Sequence, residues 1–159
     1  MLTGGENVTV TKEGPEPLLC SSYSVKREFK AHAGDAFAVH SEFDCHSLIA
    51  GQQATLKVTV EVKQQGAEHA MIEVPIPAGC SYASKQANLW YSNAYRESYK
   101  DKTVIFIENL PIGTYTYDID LLPRFTGTYT LNPAKVELMY FPVVNANNEA
   151  KEVGIKEEK

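Results

Sequence analysis

A chain of 159 residues, 43% hydrophobic and 22% charged, has the length and composition of one globular domain and lies well outside the low-hydrophobicity, high-charge region of disordered chains. Its net charge is −5, from 15 Lys and Arg against 20 Asp and Glu, and no basic cluster is denser than Lys26-Arg27, so nucleic acid is excluded as a partner. No apolar run approaches the roughly 20 residues that span a bilayer, and no membrane insertion by this segment is expected.

The first five residues carry neither the basic nor the apolar region of a secretory signal. Such a start fits a cytosolic protein and equally a domain of a longer exported chain. Residues 7–12, NVTVTK, alternate as a short strand and stop at Gly14-Pro15-Glu16-Pro17, a stiff break in backbone pairing. Residues 1–17 are therefore expected to be a leading strand and Pro/Gly-rich link, with a preceding region as one source, residues 18–156 a single β-sandwich domain, and residues 157–159 a charged tail. Residues 18–30 alternate more weakly and are also taken as strand.

Between His40 and His46, two histidines, Glu42, Asp44 and Cys45 supply enough ligand types for a divalent metal, but their spacing fits neither a helical pair nor a knuckle. A solvated loop is expected there, and no metal. Residues 55–63, TLKVTVEVK, form the cleanest strand, with Leu56, Val58, Val60 and Val62 inward. Residues 69–76 follow after a Gln64-Gln65-Gly66 turn, and pair with them as a hairpin or face them across the sandwich. Pro75 and Pro77 end that strand because neither can donate to a ladder.

Ala87, Trp90, Tyr91, Ala94 and Tyr95 fall at helical spacing, so a loop with a helical turn is expected before a strand from about Tyr95. Lys100-Asp101-Lys102 turns that strand into the next, residues 103–108. Tyr115, Tyr117, Ile119 and Leu121 then alternate with Thr116, Asp118 and Asp120, and Val136, Leu138 and Tyr140 with Lys135 and Glu137. Tyr115, Tyr117 and Tyr140 are expected in the core. Turns fall at residues 110–113 and 125–127, and a last strand at residues 152–156. The sum is an all-β antiparallel sandwich of about nine strands with at most one short helix.

Cys20, Cys45 and Cys80 match neither paired zinc ligands nor a redox Cys-x-x-Cys. They read first as buried, unreactive thiols. In an oxidising compartment one bridge with one thiol left over is the alternative, and Cys20 to Cys45 would close a loop worth about 3 kcal/mol of chain entropy. Spacing alone does not fix the connectivity.

Three segments in order resemble one family: residues 71–79, MIEVPIPAG; residues 109–115, NLPIGTY; and residues 133–142, PAKVELMYFP. A strand ending in a Pro-Ala-Gly turn (Pro77, Ala78, Gly79), a Leu-Pro-x-Gly turn (Leu110, Pro111, Gly113) and a Met-Tyr-x-Pro element (Tyr140, Pro142) resemble the C-terminal, receptor-binding-like domain of bacterial α2-macroglobulin-like proteins. All eight residues are taken as turn formers, with Gly79 and Gly113 supplying backbone freedom. The resemblance implies a macroglobulin-type sandwich within a very large periplasmic, envelope or secreted protease trap. It implies as partners the other domains of the parent chain and, through the parent, proteases. Many members carry a thioester in a Cys-Gly-Glu-Gln type sequence; this chain has none, so bait and thioester are expected N-terminal to Met1 if the parent has them. No residue here matches a receptor-binding motif.

No Gly-x-Ser-x-Gly elbow accompanies the plentiful Ser, His and Asp, and neither enzyme activity nor a cofactor is expected. The competing reading is a stand-alone carbohydrate- or protein-binding module, motivated by nine Tyr, one Trp and the cluster Trp90, Tyr91, Tyr95 and Tyr99.

Overall fold

A computed structural model describes residues 30–85 and 94–157. Among them twelve strands and no helix follow in order: β1 (Phe37–Phe43), β2 (Leu48–Ile49), β3 (Ala54–Val62), β4 (Glu68–Pro75), β5 (Cys80–Tyr82), β6 (Ala94–Ser98), β7 (Lys102–Asn109), β8 (Gly113–Pro123), β9 (Gly127–Leu131), β10 (Lys135–Leu138), β11 (Phe141–Asn147) and β12 (Lys151–Lys156). One antiparallel sheet runs β1-β3-β8-β5 and a second β11-β10-β4-β7-β6. A smaller sheet, β2-β12-β9, places β12 parallel to β2 and antiparallel to β9.

The period-2 pattern of β3 explains the first sheet. Leu56, Val58, Val60 and Val62 are buried, and register sets Val58 opposite Tyr117 and Leu56 opposite Ile119 on β8, so apolar rows align on one face. On the second sheet Ile72 of β4 lies beside Ile105 of β7 and Val136 of β10. Both inner faces merge into one core with Phe37, Leu121 and Ala146. Each such aliphatic side chain contributes about 1.5–3 kcal/mol on burial. Since β3 pairs with β1 and β8 while β4 pairs with β7 and β10, β3 and β4 are not a hairpin but belong to opposite sheets of the sandwich.

Three polar links tie the layers. Thr103 Oγ1 on β7 donates to the Tyr82 hydroxyl on β5 at 3.0 Å. Arg96 Nη1 on β6 donates to the Asp118 carbonyl of β8 at 2.9 Å. Buried Asn148 accepts the Ala134 amide at 2.7 Å and donates to Ser41 Oγ at 2.5 Å. A buried amide group left without such partners costs about 1–3 kcal/mol, which is why the Asn148 contacts fix one chain path.

The sandwich agrees with the sequence pattern, including the paired strands β6 and β7 and the last strand β12. The count of nine was low, and two expectations are corrected. His40 to Phe43 belong to β1, which pairs with β3 and is an edge strand among the described residues, and not to a solvated loop; alternation there is hidden because His40 and Glu42 share the outer face with Ala38. The strand expected through Tyr140 stops at Leu138, where the chain turns into β11. The strands expected at residues 7–12 and 18–30 and the helical turn before Ala94 lie outside the described residues.

Candidate functional site

The β10–β11 hairpin turns over Met139-Tyr140. Lys135, Val136 and Glu137 pair with Asn147, Ala146 and Asn145, but Leu138 then pairs with Phe141. Residues 142–144 thus stand out of the ladder as a bulge, closed by Asn145 Nδ2 donating to the Pro142 carbonyl at 2.8 Å. Pro142 has no N–H to contribute, and a broken ladder on an edge strand is where that costs nothing. The result is a projecting apolar tip: Met139, Tyr140, Phe141 and Val143 are 44%, 71%, 65% and 85% exposed.

Tyr140 therefore does not fill the core as its alternation suggested; the turn lifts it out of the sheet. Its ring meets His69 edge-on, with centroids 5.1 Å apart. His69 holds a left-handed φ of 53°, and its carbonyl accepts the Met139 amide at 2.9 Å. Such a conformation in a non-glycine residue costs about 1 kcal/mol or more and persists where surrounding contacts over-determine it. Ile112, in the turn between β7 and β8, is exposed at the same end of the sandwich.

At the other end, residues 77–79 join β4 to β5. The Cys80 amide donates to the Pro77 carbonyl at 2.9 Å and the Arg124 amide to the Gly79 carbonyl at 2.8 Å. Gly79 is not needed for a left-handed backbone, contrary to expectation. A Cβ there would sit 2.4 Å from Tyr129 Cε2 and 2.8 Å from Ile155 Cδ1, so the absent side chain makes room for a packed ring. Ala78 is exposed beside a groove of about 1320 Å3 that borders this turn. Gly113, by contrast, has φ 156°, a conformation disfavoured for other residues.

Of the remaining turn residues, Leu110 is buried and Pro111 accepts a bond from the Tyr115 hydroxyl at 3.0 Å. Tyr129 makes the same latch to the Phe125 carbonyl at 3.0 Å. The repeated Gly-Thr-Tyr at residues 113–115 and 127–129 is the sequence signal for both corners. Tyr115 is partly buried against the core and Tyr117 is buried. Tyr95 and Tyr99 lie on and just after β6, the last strand of its sheet among the described residues, and are exposed; Tyr95 stacks on Phe106 at 6.3 Å and the Tyr99 hydroxyl bonds Glu97. Trp90 and Tyr91 fall outside the described residues, as does Cys20.

Cys45 is exposed and Cys80 partly buried, both as thiols. Burial pushes Cys80 up to about 11, and partial burial with Asp44 nearby also raises Cys45, so neither is an activated thiolate. His40 lies 3.5 Å from Glu42, and among the described residues no three His, Cys, Asp or Glu side chains cluster to hold a metal. No helix among the described residues is long and apolar enough to cross a membrane.

A family model described as the bacterial alpha-2-macroglobulin MG10 domain matches residues 23–142. The chain belongs to this MG10 family. The matched stretch ends within the apolar hairpin and includes the tip residues Met139 to Phe141. Among solved structures the MG10 chain is similar to native alpha-2-macroglobulin from Escherichia coli spanning domain MG7 to the C-terminus, at 16% identity and TM-score 0.68, covering 79% of this chain and 24% of that one. It is similar to Salmonella alpha-2-macroglobulin reacted with methylamine at 17% identity and TM-score 0.72, covering 82% of this chain and 10% of that one. A cohesin module from a Clostridium perfringens family 33 glycoside hydrolase shares the fold more loosely, at 14% identity and TM-score 0.52, covering 78% of this chain and 99% of that module. The chain thus spans a quarter or less of the macroglobulin chains it matches. No curated protein matches it.

Proposed function

We propose that this MG10 domain is an interaction module of a longer bacterial α2-macroglobulin-like protease-trapping inhibitor, located in the periplasm, the cell envelope or the secreted fraction. It carries no chemistry of its own; it helps to hold the native trap closed through contact with a neighbouring domain of the parent chain. The observation that supports this is the projecting tip of Met139, Tyr140, Phe141 and Val143, since contiguous exposed apolar side chains mark interaction sites. Proteases are partners only through the parent.

The test is made in the parent protein. Deleting the domain, or replacing Phe141 and Val143 by serine, is expected to loosen the native form and change its response to a protease, read as a shift in native-gel mobility and in residual trapping. Unchanged trapping in both variants would refute the reading.

A second reading, a stand-alone carbohydrate- or protein-binding sandwich, draws on the likeness to nearly the whole length of a cohesin module and on the exposed Tyr95 and Tyr99. A glycan panel titrated against Trp90 fluorescence separates the two. Saturation at micromolar ligand favours the binding module, and silence favours the structural role.

A further inference from the structure

We propose that the groove beside the Pro77–Gly79 turn binds an acidic, extended peptide segment of a protein partner. Five cations line it, Lys85, Lys100, Lys102, Arg124 and Lys135, against the two carboxylates of Glu73 and Asp101. The chain as a whole carries −5 while the groove is net positive, so it reverses the sign of the molecule's charge, and a concavity with a net charge of one sign concentrates ligands of the other. Two of the cations are engaged along the floor: Lys102 pairs with Glu73 at 2.8 Å and Lys135 with Glu137. Lys85, Lys100 and Arg124 are exposed along the rim. Arg124 Nε donates to Ser81 Oγ at 3.0 Å, which orients the guanidinium with its terminal nitrogens placed to donate to a carboxylate in bidentate fashion.

The wall between the charges is apolar. Pro75, Ile76, Pro77, Ala78 and Pro133 line it, and Phe125 stands 69% exposed at the side. Prolines offer no N–H, so this surface selects by shape and by burial of aliphatic groups while the rim selects by charge. A volume of about 1320 Å3 exceeds the roughly 300–1,000 Å3 of small-molecule pockets and has room for several residues of chain. β5, last in its sheet among the described strands, runs along the groove and offers a sheet edge to an extended backbone. Alternating carboxylates and aliphatic side chains on an extended segment match this arrangement. The proposal is independent of the hairpin tip.

The probe is a fluorescein-labelled hexapeptide, Glu-Leu-Glu-Val-Glu-Leu, with a Gln-for-Glu control, followed by anisotropy on the full chain at low and high salt. Saturable binding is expected, at least tenfold weaker for the Gln peptide and weakened at least tenfold by Lys100→Glu with Arg124→Glu. Lys57→Glu on the outer face of β3 should leave it unchanged. If the double variant misfolds by circular dichroism, Lys100→Glu alone carries the same expectation at several-fold. Equal binding of the Gln peptide, equal loss on Lys57→Glu, displacement by millimolar inorganic phosphate, or preferential capture by phosphatidylglycerol vesicles would each overturn the proposal.

Discussion

The two ends of this sandwich are built from the same strands yet differ in kind. At the hairpin end the ladder is broken, the backbone of His69 is strained and apolar side chains project. At the groove end packing is so close that Gly79 admits no side chain beside Tyr129, and charges surround a concavity. Between them the core is uniform. The lesson is that strand interiors set the architecture, whereas the turns at either end decide what the surface offers.

The largest changes in stability are expected at the groove end. Gly79→Ala should cost about 1–3 kcal/mol by overpacking against Tyr129 and Ile155. Gly113→Ala, strained only in its backbone, should cost about 1 kcal/mol. Urea denaturation of both variants measures this; equal losses would remove the packing explanation for Gly79. Asn148→Ala should cost about 1–3 kcal/mol because it orphans the buried Ala134 amide, and Asn148→Asp, which keeps the acceptor, should recover part of it.

Alkali should act on the groove end before the rest of the core. Cys80, beside the groove, is raised by burial from 9.0 to about 11, and Tyr117 in the core from 10.0 to about 12. Both are neutral when protonated, so the folded state holds the proton longer than the unfolded chain. Their stabilisation is complete below the unfolded values and fades as pH rises from 9 to about 11 for Cys80 and from 10 to about 12 for Tyr117. Thermal melts across this range should show the fall, and Cys80→Ser should remove its earlier part. A flat profile between pH 9 and 11 would count against burial of that thiol.

The smallest stability effect belongs to the tip. Phe141→Ser with Val143→Ser should change the unfolding free energy by no more than about 0.5 kcal/mol, because both side chains lie outside the core. A loss of several kcal/mol would show instead that the tip holds the domain together.

How much of this the sequence disclosed follows from physics at particular residues. β3 and β8 were legible because one face is wet and the other buried, which prints a period of two. β1 was not, since Ala38, His40 and Glu42 on one face alternate with Val39, Ser41 and Phe43 on the other, a contrast too weak to separate strand from loop. Tyr140 kept the phase of β10 across a turn with no Gly or Asn to announce it. The groove was invisible because its five cations come from four separate stretches of the chain and meet only on folding. The repeated Gly-Thr-Tyr was available and marks the two tyrosine latches.

The bulge at residues 142–144 also governs what the hairpin cannot do. An apolar edge strand with an intact row of amides and carbonyls is a template on which further chains stack into fibrils. Here Pro142 withholds one donor and the Asn145 amide occupies the carbonyls of Pro142 and Val143, at 2.8 and 3.3 Å. The tip can therefore be adhesive toward a partner that fits its side chains while its backbone is a poorer template for a further strand, so side-chain stickiness and a blunted edge coexist on the same few residues.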